Sequence, residues 1–167
     1  MNEGPNTEIE FQWGLKIPMR DGVRLNATLY KPRAMPQPVP VIFRLTPYIS
    51  DSYHDRAVYF AQCGYVFALV DCRGRGNSEG RFEPHLNEGR DGYDVTEWLA
   101  VQSWSNGKVA MYGGSYEGYV QWATAKELPP HLATIVPAAA AHATFLEADA
   151  CGEPACSADV AARTCAT

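Results

Sequence analysis

Between residues 41 and 136, short apolar runs that suit strands alternate with segments that suit helices, and this order constrains the fold more than any other feature of the chain. Val41-Ile42-Phe43 opens the series as a run typical of a strand covered on both faces. Residues 54–62 suit a short helix ended by Gly64, and Tyr65-Val66-Phe67-Ala68-Leu69-Val70 is the strongest strand signal, closing at Asp71. Residues 90–101 fit a helix, with Tyr93, Trp98 and Val101 among its apolar positions, and a strand over 108–112 follows. The next helix runs from Tyr116 to Glu127, where Pro129 and Pro130 stop it, and Leu132 to Val136 reads as one more strand. Such an order implies right-handed crossovers and an α/β fold with a mainly parallel sheet.

The first thirty residues follow a different rule. Residues 9–17 and Val23 to Tyr30 alternate with the period of strands, Val23, Leu25, Ala27 and Leu29 sharing one face. Met19-Arg20-Asp21-Gly22 supplies the turn between them, so an N-terminal antiparallel hairpin is expected. The Pro-rich stretch 32–40 reads as an extended linker. Beyond residue 146 the pattern dissolves, with no large aliphatic side chain except Val160. The expected organisation is therefore residues 1–145 as the N-terminal part of an α/β domain and 146–167 as an irregular, divergent tail that adds little core.

Composition narrows the partners. A chain of 167 residues is the size of one domain, and 46% hydrophobic residues argue against disorder. The formal charge of −5 supplies no basic field, so nucleic acid is not an expected partner. No apolar run reaches the length of a membrane span, and the first eight residues lack the basic and apolar parts of a signal peptide; no membrane partner and a cytoplasmic location are expected. The five cysteines form neither a thioredoxin pair nor a metal knuckle, and no metal or cofactor is expected.

The segment Gly113-Gly114-Ser115-Tyr116-Glu117-Gly118 joins an expected strand to an expected helix. In a nucleophile elbow this sharp junction lifts a serine hydroxyl above the sheet edge, and small flanking residues avoid collisions with neighbouring elements. The general pattern places glycine at 113 and 117, whereas position 117 is Glu117 and the second glycine is Gly118. A tight turn without chemistry remains the alternative for such a loop on its own. Asp71 and the loop from Cys72 to Gly80 follow the central strand; Asp71 and the arginines there read as scaffolding, and Arg73-Gly74-Arg75-Gly76 lacks the ending of a phosphate-binding loop. Glu117 is expected to face solvent, with a substrate ammonium as its other possible partner.

Four ordered segments give this chain a family resemblance. They are Pro18 to Leu25, Arg44-Leu45-Thr46-Pro47-Tyr48, Asp71 to Gly80, and Asn106 to Gly118. Together they resemble the Xaa-Pro dipeptidyl-peptidase-like serine hydrolases, which include the cocaine esterase and alpha-amino-acid ester hydrolase types. The likeness covers about residues 10–140, and family members commonly carry Ser-Tyr-x-Gly at the elbow, as here. The resemblance implies a partial α/β-hydrolase fold, Ser115 as nucleophile, the Tyr116 backbone N–H as one oxyanion donor and the Tyr48 hydroxyl as the second. It also implies small-molecule esters or amides, including acylated amino-acid derivatives, as substrates.

A serine nucleophile needs a base, which in this fold comes after an acid that itself follows the serine. Asp149 and Asp159 follow Ser115, but no histidine follows either; His54, His85, His131 and His142 all precede them. The sequence therefore reads as an N-terminal fragment or truncated product, with little ester turnover expected of it alone and self-association expected through an exposed sheet edge. Two function classes stay open: a serine hydrolase whose nucleophile half is visible, and a non-catalytic α/β binding or scaffold domain.

Overall fold

The structure is a computed structural model that describes residues 8–140. Its order is β1 (Ile9–Pro18), β2 (Arg24–Pro32), β3 (Val39–Thr46), a 3-10 turn (Ser50–Tyr53), α1 (His54–Gln62), β4 (Val66–Asp71), α2 (Glu88–Ala100), β5 (Ser105–Gly114), α3 (Tyr116–Lys126) and β6 (Leu132–Ala138). The strands form one six-stranded sheet in the order β1-β2-β4-β3-β5-β6. β2 runs antiparallel to both β1 and β4, whereas β3 is parallel to β4 and β5, and β5 is parallel to β6. The expected mainly parallel sheet behind an antiparallel hairpin is what forms. The expected tail over 146–167 lies outside the described residues, as do His142, Asp149 and Asp159.

Alternation within the central strands separates two cores. Val41, Phe43, Leu45, Val66, Ala68, Val70, Val109 and Met111 point to the face that packs against Val95 and Leu99 of α2 and Val120 of α3. Ile42, Phe67 and Leu69 point the other way, onto Ala57 and Ala61 of α1. β4 is therefore buried along its whole length, as a strand with a neighbour on each edge and a helix layer on each face must be.

Three sequence expectations need correction. β2 was expected to bury alternate residues, yet everything from Leu25 to Tyr30 is buried. Its polar residues go inside because partners meet them there: the Asn26 amide donates to Asp71 (3.0 Å), and the Asn26 backbone N–H donates to the Ser78 hydroxyl (2.7 Å). The Pro-rich linker also ends earlier than expected, since β3 begins at Val39, whose N–H donates to the Trp104 carbonyl at 3.1 Å. Helix α2 starts at Glu88 rather than Arg90, and the Glu88 carboxylate accepts the N–H groups of His85 and Asn87 (both 3.2 Å) ahead of its first turn.

Charge pairs fix the loops at the carboxyl ends of the strands. Arg73 bridges Asp91 of α2 (2.7 Å) and Asp21 of the hairpin turn (2.6 Å), and Arg20 grips Asp94 (2.8 Å). Burial outweighs the guanidinium at Asp91 and holds its carboxyl above the usual range, while Arg73, bonded to Asp91 and Asp21, is shifted up. Asp71 is 3% exposed and accepts from Asn26 and from the Asn77 N–H (3.2 Å). The expected scaffolding role of Asp71 and the loop arginines matches these contacts.

Candidate active site

β5 delivers Ser115 to the carboxyl edge of the sheet, between Gly114 and the first residue of α3. Ser115 has φ 58° and ψ −123°, the conformation of the first central residue of a type II′ turn, which glycine normally occupies. A side chain there costs on the order of 1–3 kcal/mol and persists only where its surroundings enforce it. The enforcement is visible. The Ser115 N–H donates to the Ala138 carbonyl at the end of β6 (2.9 Å), and the Ser115 carbonyl accepts the Tyr119 N–H of α3 (3.1 Å). A serine before a helix ordinarily caps it with its hydroxyl. Ser115 makes no such side-chain bond and is exposed, so among the described residues its hydroxyl is not engaged in capping the helix.

The small residues around it are steric necessities. A Cβ on Gly113 would stand 2.7 Å from the Glu117 Cβ, and one on Gly118 would stand 2.8 Å from the Ala140 Cβ. Gln121, 1% exposed, fastens the same junction by donating to the carbonyls of Gly113 (3.0 Å) and Glu117 (3.1 Å) and accepting the Val136 N–H (2.8 Å).

Glu117 does not face solvent, which corrects the sequence expectation. It is 2% exposed and forms an ion pair with Arg44 of β3, while its other oxygen accepts the Thr46 hydroxyl at 2.8 Å. The guanidinium of Arg44 also lies 3.5 Å from the centre of the Tyr53 ring, a cation–π contact. Glu117 can occupy a glycine position of the general elbow pattern because Gly113 leaves the room and Arg44 supplies the counter-charge.

Tyr116 and Tyr48 come together. Their rings are edge to face with centroids 6.5 Å apart, which places Tyr48 beside the residue that follows Ser115. The Tyr116 backbone N–H belongs to the first turn of α3, where helix N–H groups have no intrahelical acceptor and the helix end is partially positive. Its phenol donates to Glu88 and accepts the His85 N–H (3.1 Å). Burial and then the Glu88 carboxylate raise the Tyr116 phenol well above the ordinary tyrosine range, so it stays protonated; burial likewise pushes Tyr119 up to about 12. Tyr48 is 47% exposed, and its segment is held at two points: its N–H donates to the Thr46 hydroxyl (3.2 Å), and the Pro47 carbonyl accepts Arg75 Nε (2.7 Å). A cavity of about 140 Å³ beside Tyr48 is lined by Asn26, Thr28, Asp71 and Arg75 among others.

The described histidines are distributed away from a triad arrangement. His54 meets the Tyr30 hydroxyl (3.2 Å) and His131 meets Glu97 (2.7 Å) at the amino end of β6. His85 packs near Tyr116 and Tyr119, at centroid distances of 4.9 and 4.6 Å, with a positive φ of 68°. Sequence reasoning missed Glu88, His85 and the pairing of Arg44 with Glu117. A signal for the last was present: opposite charges next to the ends of two strands expected to run parallel.

Known proteins resemble this chain in sequence and fold. The profile of the X-Pro dipeptidyl-peptidase (S15 family) matches residues 21–154. The cocaine esterase of Rhodococcus sp. (strain MB1 Bresler) is 38% identical over 130 residues, covering 74% of this chain and 22% of that enzyme. Among solved structures, an alpha-amino acid ester hydrolase aligns over 84% of this chain and 27% of its own, with 26% identity and a TM-score of 0.72. A CocE/NonD family hydrolase from Staphylococcus aureus aligns over 77% of this chain and 27% of its own, with 28% identity and a TM-score of 0.70. The chain thus spans about a quarter of the length of these relatives.

Proposed function

Because the chain belongs to the X-Pro dipeptidyl-peptidase (S15) family, we propose that its elbow performs acyl transfer, with Ser115 attacking the carbonyl carbon of an ester or amide. As the bond from Ser115 Oγ to that carbon forms, the carbonyl oxygen takes the negative charge. The Tyr116 N–H and the Tyr48 hydroxyl donate to this oxygen, and their stabilisation grows as the charge develops. Collapse of the tetrahedral species breaks the bond to the leaving alcohol or amine, which departs with the proton that Ser115 gave up. Water then releases the acid from the acyl-serine by the same steps. A base must carry the proton, and among the described residues no histidine hydrogen-bonds Ser115.

The observation that carries this reading is the strained, uncapped Ser115 beside the paired rings of Tyr48 and Tyr116. A scaffold domain gains nothing from a serine in a glycine conformation, so the catalytic reading is favoured over the binding one. Small acyl substrates agree with the relatives, a cocaine esterase and an alpha-amino acid ester hydrolase. Peptide mass mapping after exposure to p-nitrophenyl acetate tests the proposal. Acetyl is expected on Ser115, at a rate that Tyr48→Phe lowers by a factor of about a hundred, the typical loss for one oxyanion donor. Acetylation scattered over surface side chains, with Ser115 unmodified, overturns it.

A further inference from the structure

We infer that Glu117 is a positioning residue: through Thr46 it fixes Tyr48 relative to the Ser115 elbow. This rests on the reading of Tyr48 as an oxyanion donor. Glu117 turns one oxygen to Arg44 and the other to Thr46, two residues of β3 that share one face, and the Tyr53 phenol of the 3-10 turn also meets both Glu117 and Thr46. The Thr46 hydroxyl has one proton, which it donates to Glu117 at 2.8 Å, so toward Tyr48 it can act only as acceptor. It accepts the Tyr48 N–H at 3.2 Å. The result is a polarised relay, carboxylate to hydroxyl to amide, running from the first turn of α3 to the segment that carries Tyr48.

Stability does not account for this arrangement. A buried ion pair is commonly no better than apolar side chains of the same volume, because both charges lose their hydration. Here the pair is also incompletely satisfied, since among the described residues Arg44 Nε is buried without a hydrogen-bond partner. What the pair supplies is register. Ser115 and the Tyr116 N–H ride on α3, and Tyr48 rides on the loop after β3, so the two donors share a target only if those elements keep a fixed offset. Glu117 sits two residues from Ser115, and Thr46 two residues from Tyr48, which makes their bond the short link between the halves of the site. Arg44 holds the carboxylate from one side and is itself held over Tyr53.

The test reads Tyr48 directly. In the full chain with labelled tyrosines, ring-proton contacts between Tyr48 and Tyr116 are measured by nuclear Overhauser spectroscopy, together with the amide spectrum of the sheet. Thr46→Val, which keeps shape and deletes the relay, is expected to reduce the Tyr48–Tyr116 contact at least about twofold while the sheet amides stay in place. Thr46→Ser is expected to restore it. Glu117→Gln, which keeps hydrogen-bonding capacity and removes charge, is expected to fall between them. Undiminished ring contacts in a folded Thr46→Val chain overturn the inference, even if Glu117→Gln fails to fold. Failure of the underlying functional reading looks different: ring contacts respond as described, but Tyr48→Phe acetylates at Ser115 as fast as the parent.

Discussion

The carboxyl edge of the sheet at Ser115 and the outer flank formed by β5, β6 and the open side of α1 are built on opposite terms. At the elbow, a serine is held in a glycine conformation, a carboxylate and a guanidinium are buried together, and Gln121 connects three elements. On the flank, a largely apolar hollow of about 320 Å³ runs between Ile42, Phe60, Ala110, Tyr112 and Val136, with Val136 51% exposed. Among the described residues, β6 pairs on one side only. The elbow gives up stability to hold geometry, whereas the flank holds no geometry and keeps its apolar surface in reserve. Strain and buried charge gathered in one small region are the expected marks of a functional site.

Substitutions can break or sharpen that contrast. The largest effect belongs to Glu117→Ala, which leaves Arg44 charged and buried alone and is expected to cost about 3–5 kcal/mol in urea denaturation. Replacing both partners, Arg44→Met with Glu117→Leu, is expected to recover most of that loss; a double variant as unstable as the single one would show that the pair stabilises the fold outright. Gly113→Ala comes next, at about 1–3 kcal/mol, because its Cβ would meet the Cβ of Glu117. A milder result would mean that α3 can slide away from β5 and that the elbow is not rigid.

Ser115→Gly is expected to change stability in the other direction. It relieves the positive φ and should raise the unfolding free energy by about 1 kcal/mol, net of the entropy that glycine adds to the unfolded chain. Equal stability of the glycine and parent chains would contradict the claim that Ser115 is strained. The smallest effect is expected on the flank, where Val136→Lys should alter stability by less than about 0.5 kcal/mol. The same variant is expected to lower the sedimentation coefficient of any self-associated species formed through the β6 edge, since an edge lysine opposes strand pairing.

These contrasts also mark where the sequence could be read. The elbow was legible because a strand, two glycines, a serine and a helix are a local pattern, and each small residue answers a local collision. The order of elements was legible for the same reason, through the period of the apolar positions. The burial of Asn26 was not, because it depends on Asp71 and on Ser78 of the following loop meeting its amide and backbone N–H. Glu117 was misjudged because its partner Arg44 is 73 residues away, and an isolated glutamate in a helix's first turn normally faces water. Glu88 was missed likewise, since its ligands, the His85 and Asn87 amides and the Tyr116 phenol, carry no sequence signature.

The claim that the elbow is shaped to hold a tetrahedral, negatively charged species on Ser115 can be tested without a leaving group. Phenylboronic acid adds reversibly to a serine hydroxyl, giving a tetrahedral boronate anion with the geometry of the acyl-transfer intermediate, and boron-11 NMR separates it from the trigonal acid. With the purified chain, a saturable tetrahedral signal is expected, weaker in Tyr48→Phe and absent in Ser115→Ala. A signal that remains trigonal at saturating protein, or a tetrahedral one that survives in Ser115→Ala, would contradict it.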